Sequence, residues 1–302
     1  MSEICEYVFD PDEDVGEGGN LSKTSLESVW ECQLPTHPDG DQDHCVFHLG
    51  TEGRNLAGVA GEEVRDTFVR TVERTEPGEA CRFVGANFGE TIVEKGVLGE
   101  NAEVIDLRNT NFDGRLELNC DVVEADLLLD HSQLEIFSAP NVTFKGDVSF
   151  RGCRFEGEVN LDSARFEGQV TFEKAKFELN GEFSEAVFGD VSFRLSKHKG
   201  AKTTFKKAKF RGKALMGRSS FNEGDFTSAE FGSSTDFSSA TFGDETKFQY
   251  TNFYGNVDFG GADFNGNSVF RGAGFSKRAS FEDASFQGWV SFLNTEFGDD
   301  VS

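Results

Sequence analysis

Proline is scarce in this 302-residue chain, with 5 residues, and so are tryptophan (2), tyrosine (3) and methionine (2). So little proline excludes a proline-rich disordered chain. No run of about 18 apolar residues occurs, so no segment is predicted to span a membrane. The N-terminus, MSEICEYVFDPDEDVGEGG, has neither a basic n-region nor an apolar h-region and does not read as a secretory signal. The expected location is the cytoplasm, where disulfides are uncommon, so the six cysteines read as metal ligands or core residues. Catalytic signatures are missing as well: there is no G-x-S-x-G, no P-loop and no H-E-x-x-H. Carboxylate pairs at glycosidase-like spacing arise by chance among 54 Asp and Glu residues. The chain is expected not to be an enzyme and to have no substrate.

Positive charge is also short. With 29 Lys and Arg against 54 Asp and Glu, the formal net charge is −25, which argues against nonspecific nucleic-acid binding by the whole molecule. Acidity spread along most of the chain fits a surface that stays soluble in high salt, a halophilic trait. It fits less well a nucleic-acid-like face presented to a basic groove.

What is abundant is phenylalanine, with 33 residues, and it keeps time. From Phe221 the positions 226, 231, 237, 242, 248, 253, 259, 264, 270, 275, 281, 286, 292 and 297 are all Phe, in alternating steps of five and six. Upstream the beat continues through Phe150, Phe155, Leu161, Phe166, Phe172, Phe177, Phe183 and Phe188, and earlier through Phe112, Leu118, Val123, Leu129 and Leu134. Two residues before each large position sits a small or β-branched one, such as Ala240, Thr246 or Val257. That local period of two puts both on one side of an extended backbone. A glycine often follows two residues after the Phe, as at Gly152, Gly157, Gly266 and Gly272, where a corner would use its freedom at positive φ. Four such sides close a coil of about 20 to 22 residues. Coils about 4.8 Å apart would stack Phe on Phe, and Phe83 to Phe297 leaves room for roughly ten of them.

Units such as ATF, ADF and ASF, with ADL at Ala125 to Leu127, resemble pentapeptide-repeat proteins over about residues 81 to 297. The resemblance implies an all-β solenoid, a right-handed quadrilateral β-helix. The family's simplest members repeat strictly every five residues, so the alternating step predicts bulged corners on alternate faces.

The beat falters in three places. Several alignments compete between Phe88 and Phe112, and the register slips near Pro140. At RLSKHKGAKTTFKKAKFRGK, residues 194–213, counting on from Phe193 puts Lys199 in an inward slot, so the chain is expected to loop outward there. The same stretch reverses the charge. No acidic residue lies between Asp190 and Glu223, while Lys197, Lys199, Lys202, Lys206, Lys207, Lys209, Arg211 and Lys213 do. These cations either pair with acidic neighbours on adjacent coils or form a docking patch for an acidic partner, a nucleic acid or an anionic membrane.

Residues 1–55 lack the repeat and hold Cys5, Cys32, Cys45 and His48, the last two as the C-x2-H pair CVFH. Three thiolates and an imidazole could close a structural tetrahedral Zn2+ site in a segment with little core, against which Trp30 and Phe47 would pack. His37 and His44 are alternative ligands, and unligated thiols in a small cap are the alternative to metal. The leader resembles the Cys-rich start of haloarchaeal pentapeptide-repeat proteins, in which cysteines precede a C-x2-H. Cys81 and Cys153 fall in the small slot before Phe83 and Phe155 and read as core; Cys120 lies near a corner after Leu118.

Residues 56–80 predict an amphipathic helix with Val64, Phe68 and Val72 on its apolar face, Val69 and Leu56 nearby, and Pro77-Gly78 at its end. It would cover the open first coil of the solenoid, residues 81–302. No equivalent cap follows Phe297, so the C-terminal end is expected to pair with a second copy. The function expected is a scaffold that binds an unidentified protein through its outer faces. The alternative is the role that some pentapeptide-repeat proteins play as DNA mimics acting on type II topoisomerases such as gyrase. Zinc-dependent sensing through the leader is a third reading.

Overall fold

A computed structural model describes residues 4–9, 30–38, 43–200 and 202–298. The repeat is a β-solenoid of about 10 turns, the quadrilateral β-helix expected. Each coil has four short sides, named A to D. Side D stacks into a 10-stranded parallel sheet, and the other three merge into one of 24 strands. The first coil starts on side D at Phe83. Sides D, A, B and C of the eighth coil are centred on Phe237, Phe242, Phe248 and Phe253. These rings stack on Phe259, Phe264, Phe270 and Phe275 of the ninth coil, with centroids 5.0, 4.7, 5.0 and 5.0 Å apart. Each coil donates backbone N–H groups to the next, as from Phe226 to Lys247 O (2.7 Å) and from Phe248 to Val269 O (2.8 Å). Burying a Phe contributes roughly 1.5–3 kcal/mol, so the four columns dominate the fold's stability. No single coil can bury its own rings, and stacking supplies the missing partner.

The uncertain stretches resolve into the same columns. Val93 and Leu98 complete the first coil, and Leu107 opens the second. Near Pro140 the coil continues with its sizes exchanged: Ala139 takes the large slot of side B and Phe137 the small one, both fully buried. Two coils on, Gly181 and Phe183 occupy the corresponding slots in the usual order, so the volume is conserved across the pair. Register irregularities fall between Phe112 and Arg115 and between Phe221 and Glu223. In both places a five-residue step lies against a six-residue step of the neighbouring coil, so a mismatch of step length sets them.

The outward loop expected around Lys199 does not form. The strand Lys197–His198 pairs with Lys176–Phe177 below and with Ser220–Phe221 above. His198 takes the inward slot, stacked between Phe177 (4.3 Å) and Phe221 (4.5 Å), and Lys199 stays outside against Glu178 at 3.2 Å. The extra residues of the step fall between His198 and Phe205. Ser196 Oγ (3.0 Å) and Thr203 Oγ1 (3.1 Å) partner the two imidazole nitrogens, which lets a polar ring replace a phenyl. Burial holds its pKa down at about 3.

The corners also differ from expectation. Corners after sides B and D do use the left-handed region, but mostly with ordinary residues such as Ser163, Lys174 and Ser239; of the four glycines cited, only Gly152 and Gly272 adopt it. Gly157 and Gly266 are needed for a different reason. A Cβ at Gly266 would stand 2.0 Å from Asp244 O, and one at Gly157 2.1 Å from Glu135 O, so backbone of the preceding coil occupies the space. Gly266→Ala is therefore expected to cost about 1–3 kcal/mol through overpacking against backbone. Denaturant unfolding of the variant beside the native chain checks this.

Candidate metal centre

In the leader, Val8–Phe9 pairs antiparallel with Trp30–Glu31. The ladder extends through Cys32 N–H to Tyr7 O (3.0 Å) and Cys5 N–H to Leu34 O (2.9 Å), which sets Cys5 and Cys32 side by side. Cys45 to His48 forms one helical turn, with His48 N–H on Cys45 O at 3.0 Å. Residues three apart share a face in such a turn, which is the physical reason for the C-x2-H spacing. The two segments meet in a cluster whose ligand atoms all lie within 4.8 Å of one another, and all four residues are buried.

The distances match a tetrahedron. With metal–sulfur bonds of about 2.3 Å and a metal–nitrogen bond of about 2.0–2.1 Å, its edges are about 3.8 Å between sulfurs and about 3.5 Å from sulfur to nitrogen. Cys32 Sγ and Cys45 Sγ are 3.8 Å apart, and His48 Nδ1 lies 3.5 Å from Cys5 Sγ and 3.2 Å from Cys45 Sγ. A metal ion fits this donor set. Without one, the Cys32 hydrogen bond and the adjacent His48 hold Cys45 down at about 4, while Cys32 and Cys5 are pushed up. Three thiolates packed this closely need a cation to ionise together.

Surrounding groups orient the donors. His48 Nε2–H donates to Val84 O of the first coil at 3.0 Å, which leaves the Nδ1 lone pair for the cluster. Tyr7 stacks on the His48 ring at 3.9 Å and lies over Gly85, where a Cβ would meet its hydroxyl. Gly85 has φ +70, so Gly85→Ala faces both backbone strain and a displaced Tyr7. Arg54 sits in the short helix α1 (Thr51–Ala57) and ties Leu49 O to Asn87 O of the first coil. Its charge interacts with Cys45 and would offset the net negative charge left by three thiolates around a divalent ion.

Phe47 and Phe68 then close the coil, each ring 4.9 Å from Phe83. Phe68 belongs to α2 (Gly61–Arg74), which buries Val64, Phe68 and Val72 as expected. Leu56, placed near that face from the sequence, lies on α1 instead and is 84% exposed. His37 joins Glu63 of α2 at 3.2 Å, and neither it nor His44 enters the cluster. The Trp30 side chain lies outside the described residues. Tyr7, Arg54 and the Val84 carbonyl carry no spacing signal, and only the docked arrangement reveals them.

The other expected sites fall as follows. Cys81 and Cys153 are buried in their small slots, with Cys153 pushed well up by burial. Cys120 lies within the strand Asn111–Val123, its thiol raised to about 11 by burial and Asp121. In the basic stretch, Lys199 faces Glu178, Lys202 and Lys206 face Asp225, Lys207 faces Glu185, and Lys209 faces Glu230. Each partner stands on a flanking coil. Among the described residues, Lys197, Arg211 and Lys213 make no ion pair.

No helix among the described residues is long and apolar enough to cross a membrane. A search of curated proteins finds no match. A family model described as pentapeptide repeats (9 copies) matches residues 139–187, 150–197, 205–251 and 226–274. These matches run from coil three to coil nine, and over them the chain carries the repeat of the pentapeptide-repeat family.

Proposed function

We propose that the chain is a non-enzymatic scaffold that binds a protein partner through the outer sides of its solenoid, with a structural Zn2+ at Cys5, Cys32, Cys45 and His48 clamping the leader onto the first coil. One observation carries the reading: Phe fills the interior of every coil from the fourth on, apart from a few slots, so outward side chains are what the rod can offer. Three thiolates and one imidazole at tetrahedral spacing favour zinc over harder cations, which prefer oxygen. Cross-linking and affinity capture of the tagged chain from its native host should join a partner to outward residues of the coils. Recovery of the chain alone would contradict the scaffold.

The far end supports a second contact. On the tenth coil, Trp289, Phe292, Leu293 and Phe297 are 37–62% exposed, although Phe292 and Phe297 continue the inner columns. We propose that this apolar end stacks against a second copy. Sedimentation should find a dimer that Trp289→Glu with Leu293→Glu converts to monomer; an unchanged sedimentation coefficient would contradict it. The cations of coils six and seven break any continuous acidic stripe, which favours the scaffold over gyrase mimicry. Inhibition or protection of gyrase in a supercoiling assay would reverse that preference.

A further inference from the structure

The fold divides the basic stretch. Lys199, Lys202, Lys206, Lys207 and Lys209 pair with carboxylates of flanking coils. Unanswered positive charge gathers instead at the corner where side D turns into side A, where one residue of each coil takes positive φ. On coils four to seven that corner reads RGCR (151–154), EKAK (173–176), RLSK (194–197) and GRSS (217–220), seven cations and one carboxylate in a chain of net charge −25. On the three coils above, it reads SSAT (238–241), GGAD (260–263) and EDAS (282–285), with no cation.

The backbone keeps these residues in register. Lys174 N–H donates to Arg194 O, Leu195 N–H donates to Gly217 O, and on side A Arg154 lies beside Lys176 and Lys176 beside Lys197. The one carboxylate, Glu173, is taken by Arg151 at 3.0 Å, and Arg154 is engaged by Glu156 at 3.1 Å. Lys174, Lys176, Arg194, Lys197 and Arg218 are exposed and make no ion pair among the described residues. Lys176 and Lys197 stand on adjacent strands about 4.8 Å apart, where like charges repel and lower the stability of the fold. At the apex Leu195 is 38% exposed with φ 59, in a position that glycine or a polar residue takes on the other coils. The ridge has two ends. Asp130 lies below it, on the Arg151 backbone N–H, and the Asp236 carboxylate stands over Gly217 above it.

We propose that this corner is the contact surface for a folded acidic partner protein, whose carboxylates line a concave face around the cations, with an apolar pocket for Leu195. A convex edge offers little to an extended segment and suits a partner that wraps it. Three coil spacings of about 4.8 Å make the basic ridge about 14 Å long. A nucleic acid or an anionic bilayer would run past Asp130 and Asp236 onto the acidic remainder of the rod, whereas a discrete acidic face ends with the ridge. Complementary charge of this kind sets association rate and specificity, and weakens as salt screens it. The inference rests on the scaffold reading and specifies its contact surface.

Photo-cross-linking in the native host tests it, with p-benzoylphenylalanine placed in turn at Leu195, at Ser239 of the same corner on coil eight, and at Tyr250, which is 52% exposed at the corner after side B. A protein adduct is expected at Leu195 and none at Ser239, with the attachment mapped to a carboxylate-rich face of the adduct. Lys176→Ser with Lys197→Ser should reduce that adduct about tenfold or more. Lys207→Ser with Lys209→Ser, whose cations already have carboxylate partners, should change it less than about twofold. Thermal unfolding checks both variants, and relief of the Lys176–Lys197 repulsion should leave the first at least as stable as the native chain. No adduct at Leu195, equal losses in the two variants, or an adduct of nucleic acid or lipid would overturn the proposal. Adducts at Tyr250 without one at Leu195 would remove the corner and keep the scaffold; adducts at no position would count against both.

Discussion

Cys45→Ser is expected to reduce bound zinc from about one ion per chain to a trace, and to release the leader while the coils stay folded. Cys45 lies at the centre of the cluster: its sulfur is 3.8 Å from Cys32 and 3.2 Å from His48 Nδ1, and its turn carries Phe47 onto Phe83. Structural zinc in small domains contributes about 10–16 kcal/mol of apparent folding energy, and most of the leader's order depends on this single junction. Metal analysis with limited proteolysis gives the outcome: cleavage within residues 4–49 should appear in Cys45→Ser and in chelated native protein. His37→Gln should change neither, because His37 is engaged by Glu63. Full zinc retention in Cys45→Ser would sink the assignment.

His198 gives the second large effect. Its folded-state pKa is about 3, against 6.5 for an exposed histidine, because burial disfavours the charged ring. The folded state thus binds fewer protons than the unfolded chain once pH falls below about 6.5. Stability contributed by the neutral ring is complete above pH 6.5 and is lost progressively as pH falls toward 3. At about 1.4 kcal/mol per pKa unit, the loss approaches 4–5 kcal/mol at the acid end. His198→Phe restores the column between Phe177 and Phe221 and removes this proton uptake, though it strands Ser196 and Thr203 at a cost of about 1–3 kcal/mol each. The native chain should be the more stable near pH 7, and the difference should reverse or vanish by about pH 4. Parallel stability differences at both pH values would contradict a buried neutral imidazole.

Phe positions at alternating steps of five and six admit one interior, so the columns from Phe150 to Phe193 and from Phe205 to Phe297 were legible residue by residue. The leader's Cys/His cluster was legible for a different reason: thiols and imidazoles are scarce, and C-x2-H is a one-turn spacing. Where the reading failed, chemistry of one residue was judged without its neighbours. Lysine at 199 seemed to force a loop because a histidine was not counted as a ring able to stack, although Ser196 and Thr203 supply its partners. The Phe137–Ala139 exchange was hidden because volume is conserved across two slots rather than in each. Corner glycines were assigned to left-handed backbone, yet Gly157 and Gly266 answer to carbonyls of the coil below, a contact about one coil away in sequence. Leu56 shows the limit of helical periodicity, since α1 ends at Ala57 and α2 begins at Gly61 with a different axis of burial.

X-ray absorption at the zinc edge of the purified full chain tests the clamp most directly. The account predicts three sulfur scatterers at about 2.3 Å and one nitrogen at about 2.0–2.1 Å, with one sulfur lost in Cys5→Ser. A shell of oxygen and nitrogen alone, or an edge signal unaffected by changing Cys5, Cys32 or Cys45, would contradict it.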